Sequence, residues 1–197
     1  MSNHLRVLAE SDAAASLAEL RVVLGPEFEL IVEEGDDQGW SQLLLRHKDA
    51  EEIALIERDP VKPGELGELE LDELTHEMEH SRPTRAVEWL KHYFSHVKMV
   101  YSMQPMSGAD VNDGWSAIGR VQAYLWKKFG GILQADNEGF TNREGQHILW
   151  QFHGKQEGEL EVAVMNDAGQ WTTHMIDMAD LQQVEAFQRG EVPVQRA

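Results

Sequence analysis

His76-Glu77-Met78-Glu79-His80 is the densest run of chemically competent side chains in the sequence. Residues four apart share a helical face, so both imidazoles can reach one Zn²⁺ while Glu77 acts as general base on the metal-bound water. The spacing supplies His76 and His80 as ligands and leaves a third to be found. Glu88 is the candidate: if the helix ending near Ser81 and the one starting at Pro83 fold back antiparallel, His76 and Glu88 lie at similar distances from the turn. His92 and His96 form a second pair four apart, yet in that picture they sit about 12 Å farther from the turn than His80 at 1.5 Å per residue. One ion cannot join both pairs. The competing expectation is a solvated acidic helix end, since Glu73, Glu77 and Glu79 crowd the motif and Pro83 stops the helix soon after.

These five residues resemble the zinc-metallopeptidase motif. The resemblance implies zinc-dependent hydrolysis with Glu77 as the catalytic base, and it extends to no other part of the chain.

A second constellation is expected in the C-terminal sheet. A turn at Asp167-Ala168 that pairs Met165 with Gln170 sets Val164 opposite Trp171, Val162 opposite Thr173 and Leu160 opposite Met175, which makes one apolar face. On the other face Glu161 then stands opposite His174. A hairpin pairing Phe152 with Leu160 would add Gln151 beside Glu161 and His153 beside Glu159. A carboxylate beside an imidazole raises its pKa and makes an acid–base pair, so Gln151, Glu161 and His174 are the expected ligand-binding row. Ordinary cross-strand pairing on a solvated face predicts the same pattern.

Other motifs fall short of a chemistry. Asp136-Asn137-Glu138-Gly139, with Asn142, Glu144 and Gly145, has Thr141 where a Ca²⁺ loop needs glycine and reads as a long Asx- and Gly-rich hairpin turn. In Gly114-Trp115-Ser116-Ala117-Ile118-Gly119 the second glycine comes one residue too late for a nucleophile elbow. Trp115 and Trp150 fall on predicted apolar faces and are expected in the core, whereas Trp40, Trp89, Trp126 and Trp171 are expected to be partly buried edge aromatics.

The elements that must position these residues follow from hydrophobic period. A helix that Ser11-Asp12 can cap, with Leu17, Leu20, Val23 and Leu24 as its apolar positions, ends at Gly25-Pro26; strands follow at Phe28–Glu33, Trp40–His47 and Ile53–Arg58, then a Glu- and Leu-rich helix over Glu65–His80. A helix through Ala86, Leu90, Phe94 and Val97 leads into a strand, Met99–Met103, and after a loop from Pro105 to Asn112 comes a long helix capped by Asp113. Strands return from Ile132, and a helix over Asp180–Arg189 closes the chain. This pattern predicts an α+β fold: helices on antiparallel β-meanders, with an N-terminal α-β-β-β-α unit and a C-terminal four-stranded meander flanked by helices. The halves are expected at 1–81 and 82–197, packed as one compact unit.

Composition narrows the function. The 197 residues carry 35 Asp and Glu against 17 Lys and Arg, a formal charge of −18, and protonating all nine His still leaves −9. Affinity for nucleic acid and anionic membrane needs clustered cations, so neither is an expected partner; a basic protein is. With no cysteine, disulfides, thiolate nucleophiles and iron–sulfur clusters are excluded. Zinc on His and Glu is the one cofactor the motifs suggest. No stretch approaches a membrane span of ~20 apolar residues, and a cytoplasmic location is the default. The leading expectation is a non-enzymatic binding or adaptor protein that captures a protein partner. A small-molecule binder or enzyme on the C-terminal sheet face and a zinc hydrolase at His76 are the alternatives.

Overall fold

The computed structural model describes residues 3–48, 51–111 and 113–193. In chain order these form β1 (Leu5–Ala9), α1 (Leu17–Leu24), β2 (Phe28–Glu34), β3 (Gln42–His47), β4 (Glu52–Pro60), α2 (Leu66–Glu77), α3 (Thr84–Phe94) and β5 (Met99–Pro105). Then follow a 3₁₀ turn (Ser107–Asp110), α4 (Gly114–Phe129), β6 (Ile132–Ala135), β7 (Gly139–Thr141), β8 (His147–Trp150), β9 (Glu159–Met165), β10 (Trp171–Asp177) and α5 (Leu181–Gln188). The class is α+β, as the hydrophobic periods require. Two compact units share the chain: residues 1–69 with 97–132, and residues 70–96 with 133–197. Each unit draws on two separate stretches of sequence, a division that does not follow the 81/82 boundary.

In the first unit the strand order is β1-β5-β4-β3-β2, and every neighbour is antiparallel. Alternation builds its core: Leu30 faces Leu45 and Val32 faces Leu43, while Leu43, Leu45 and Ile56 are buried. Strand β1, which the hydrophobic period does not predict, pairs with β5 and sets Val7 opposite Tyr101. Ser16 caps α1 by accepting from the Glu19 N–H at 3.4 Å, a role expected of Ser11 or Asp12, and Gly25 at φ 87 ends the helix as predicted. Asp113 stands at the N-terminus of α4. Asn112, the last residue of the expected loop, lies outside the described residues.

Buried Ala117, Ile118, Val121, Leu125 and Phe129 make up the core stripe of α4, which packs on β1, β4, β5 and α1. Two tryptophans exchange the roles expected of them. Trp40 is fully buried and its Nε1–H donates to the Ala15 carbonyl at 3.0 Å, whereas Trp115 is 48% exposed and donates to the Asp110 carboxylate at 2.8 Å. One bonds the backbone inside the core and the other an exposed acid, which fits an amphipathic ring with a single donor at its edge.

In the second unit the order is β10-β9-β8-β7-β6. The pairs β6–β7, β7–β8 and β9–β10 are antiparallel, while β8 and β9 run parallel through His147 opposite Val162. The predicted hairpin between Phe152 and Leu160 therefore does not form. α3 contacts β8 and β9, α5 contacts β10, and Val162, Val164, Ile176, Val184 and Phe187 make the core, with Trp150 and Leu160 packed against it.

Candidate functional site

The metal motif is dispersed by the way α2 ends. Its last helical residue is Glu77, after which the Glu79 N–H turns back to the His76 carbonyl at 3.2 Å and the Ser81 N–H to the Met78 carbonyl at 2.9 Å. His80 thus lies beyond the helix, and the shared face that the motif requires is absent. The His76 side chain is 89% exposed, with its Nδ1 3.9 Å from the Glu79 carboxylate. His80, Glu77 and Glu88 are exposed as well. Among the described residues no three His, Asp or Glu side chains stand where they could hold a metal ion. His92 and His96 do meet, as an edge-on ring pair with centroids 5.1 Å apart.

The polar row on the C-terminal sheet is separated by one residue of register. Asn166 and Gln170 close the β9–β10 hairpin, with the Asn166 N–H on the Gln170 carbonyl at 2.9 Å and the Asn166 Oδ1 accepting from the Ala168 and Gln170 N–H groups. That leaves three loop residues, Asp167-Ala168-Gly169, and Gly169 takes φ 76, a conformation open to glycine at little cost. Met165 consequently faces Trp171, so His174 stands opposite Val162 and Glu161 opposite Met175. Successive residues of a strand point to opposite faces; the slip puts His174 on the buried face and Glu161 on the exposed one. Gln151 is elsewhere again, its Nε2 donating to the Ser81 Oγ at 3.3 Å. The three expected ligand-binding residues do not meet.

The segment read as one long hairpin turn is two turns, 136–138 and 142–146, with β7 between them. Asn142 is buried, its Oδ1 accepting from the Glu144 and Gln146 N–H groups at 3.1 and 2.9 Å, and it ties β7 to β8.

What the second unit does assemble is an aromatic enclosure around a histidine. His147 is 5% exposed, with ring centroids of Phe152, Trp150 and Phe187 at 5.2, 6.2 and 6.3 Å. Burial pushes its pKa down to about 4, against the carbonyls of Leu149 and Glu138, which favour the proton. Its Nε2 has no hydrogen-bond partner, nor has that of His174, and both residues flank Val162 across the three strands. A histidine inside the apolar run at Ile148 and Leu149 was the available signal.

On the surface, several lysines and arginines pair with carboxylates. Arg46 donates twice to Glu29, Arg85 bonds Asp167 at 2.6 Å, Arg189 bonds Glu191 at 2.8 Å, and Lys128 bonds Glu19. One acidic run lies on α2 and its exit, where Asp72, Glu73, Glu77 and Glu79 are exposed. Leu66 and Leu69 join them, 68% and 56% exposed. The buried residues of this helix are Gly67, Leu71 and Leu74; Leu66, Leu69, Glu73 and His76 recur at three and four on the opposite side. Comparison with family models, with curated protein sequences and with solved structures returns no match.

Proposed function

We propose that this is an acidic, non-enzymatic capture protein of the cytoplasm that takes a basic protein partner on the outward stripe of α2. The observation that carries the reading is the pair Leu66 and Leu69, which stand in solvent on a helix whose other outward residues are mainly acids. Apolar anchors rimmed by one sign of charge suit a basic amphipathic helix: leucine contacts hold it and the acidic field speeds its approach. That α2 ends before His80, and that Glu161 stands one register position away from His174, support this reading over the enzymatic ones.

Fluorescence anisotropy with a labelled lysine- and leucine-rich helical peptide tests this. Binding is expected to weaken steeply as salt rises from about 0.01 M to about 0.1 M, where the screening length falls from roughly 30 Å to roughly 10 Å. Leu66→Ser with Leu69→Ser is expected to weaken it about tenfold at every salt concentration. Affinity indifferent to both salt and the double substitution rejects the proposal.

A further inference from the structure

The first unit leaves one edge of its sheet open. β2 ends the strand order, and among the described residues no strand lies beyond it. The Lys48 N–H donates to the Glu27 carbonyl at 3.1 Å, and with Phe28 opposite His47 and Leu30 opposite Leu45 this assigns Glu29 and Ile31 to the hydrogen-bonded positions of the ladder. Alternation then turns the N–H and C=O groups of Phe28, Leu30 and Val32 away from β3. The His47 N–H, which donates to Glu51 on the far side of β3 at 3.0 Å, obeys the same alternation.

A groove runs along this edge. It is an open depression of about 670 Å³, bordered by consecutive residues Phe28 to Ile31 on one side and by Arg21, Val22 and Pro26 of α1 and its exit on the other. Val22 is 81% exposed at its rim, while the Phe28 and Leu30 side chains are buried in the sheet beneath. Its polar lining departs from the character of the molecule. Glu29 is neutralised by Arg46 at 2.8 Å, Glu27 beside Gly25 is offset by Arg120 at 3.8 Å, Arg21 reaches Asp37 only at 3.9 Å, and the exposed Lys48 side chain forms no ion pair with a described residue. In a chain with twice as many acids as bases, this groove is left cationic at the start of β2.

We propose that the groove binds the extended, apolar C-terminal tail of another protein by strand addition to β2. Antiparallel addition is the commoner and slightly stronger pairing, and it brings the tail's last residue to the start of β2, where Lys48 stands to receive its carboxylate. The outward backbone groups supply affinity for any sequence, and Val22 and Pro26 select for apolar side chains on alternate residues. This site uses a different element, and the opposite partner charge, from the acidic stripe of α2, and it stands whether or not that reading does.

The test uses the full chain and a synthetic peptide of about seven residues, the length of β2, alternating valine and threonine, with a blocked N-terminus and a free C-terminal carboxylate. Amide exchange at Phe28, Leu30 and Val32, read by NMR, is expected to be fast in the free protein and to slow at least tenfold with the peptide bound. Amidating the peptide's C-terminus, or the surface substitution Lys48→Glu, is expected to weaken binding about fivefold or more, and N-methylating alternate peptide bonds to abolish it. No binding at millimolar peptide, binding that ignores N-methylation, or protection that arises elsewhere overturns the proposal. So does a free protein that sediments as a dimer with the Leu30 and Val32 amides already protected, because a second copy then holds the edge.

Discussion

Each unit buries an aromatic cluster around one titratable ring, and the two clusters answer pH in opposite directions. In the first, Tyr101 stacks on Phe129 at 5.5 Å, lies 6.3 Å from Trp40, and donates its hydroxyl proton to the Ala13 carbonyl at 3.2 Å. In the second, His147 sits among Trp150, Phe152 and Phe187 with Nε2 unpartnered. Desolvation acts on both and favours the neutral form of each: it drives Tyr101 up to about 12 and His147 down to about 4. A neutral tyrosine is also what the unfolded chain carries at neutral pH. A neutral histidine is not what the unfolded chain carries in acid. The same burial is therefore harmless across the physiological range in one unit and a liability below pH 6.5 in the other.

The first cluster is expected to carry the larger share of stability. Trp40→Ala removes the largest fully buried side chain and strands the Ala15 carbonyl that its Nε1–H satisfies. The expected loss is about 3–5 kcal/mol, the range for large aromatic truncations in a packed core. Urea unfolding followed by NMR signals assigned to each unit checks it, and a loss under about 1 kcal/mol would mean that the core is organised elsewhere.

His147 gives the next largest effect. Between its unfolded pKa near 6.5 and its folded value of about 4 the unfolded chain binds the extra proton, so stability falls as pH falls through that window and falls no further below it. The full shift corresponds to about 3 kcal/mol. His147→Leu keeps an apolar group against Phe187 and removes the proton, so its unfolding free energy should be flatter by that amount from pH 6.5 to 4. Parallel pH profiles for the two proteins would assign the acid sensitivity to another group.

Tyr101→Phe tests the opposite limb at smaller scale. At neutral pH it loses one hydrogen bond, worth about 1 kcal/mol. Above pH 10 the unfolded tyrosine ionises while the folded one holds its proton to about 12, so wild-type stability falls with rising pH there and the phenylalanine variant lacks that decline. Chemical denaturation at pH 7 and pH 11 separates the two contributions.

Elements with a long period were legible in the sequence. α4 follows its stripe from Ile118 to Phe129, and the meander β2–β3–β4 follows its alternation. Short pieces with long-range partners were not: β1 spans Leu5–Ala9 and β7 only Gly139–Thr141, and each is defined by the strand it pairs with. The site readings failed on counts of one or two residues. One extra hairpin residue decided the face of His174, and the turn at Glu77 decided whether His80 belonged to a helix, because period two inverts with every slip and a helical face is lost where the helix stops. The parallel contact of β8 with β9 rests on a single pair, His147 and Val162, and leaves no local trace.

Trp115 offers the mildest and most discriminating test. Its place on the α4 stripe predicts a core residue, yet Gly114 and Trp115 begin the helix, and there the ring turns outward to the Asp110 carboxylate. Trp115→Ser removes an exposed ring and an exposed hydrogen bond, so the expected loss is within about 0.5 kcal/mol, on the order of a tenth of that for Trp40→Ala. Thermal unfolding of the two variants side by side reads the ratio. Comparable losses would restore Trp115 to the core and show that helical period outweighs position at a helix end; a near-silent Trp115 shows that a ring with a donor at its edge is placed by the partner its N–H finds, here an exposed acid and at Trp40 a buried carbonyl.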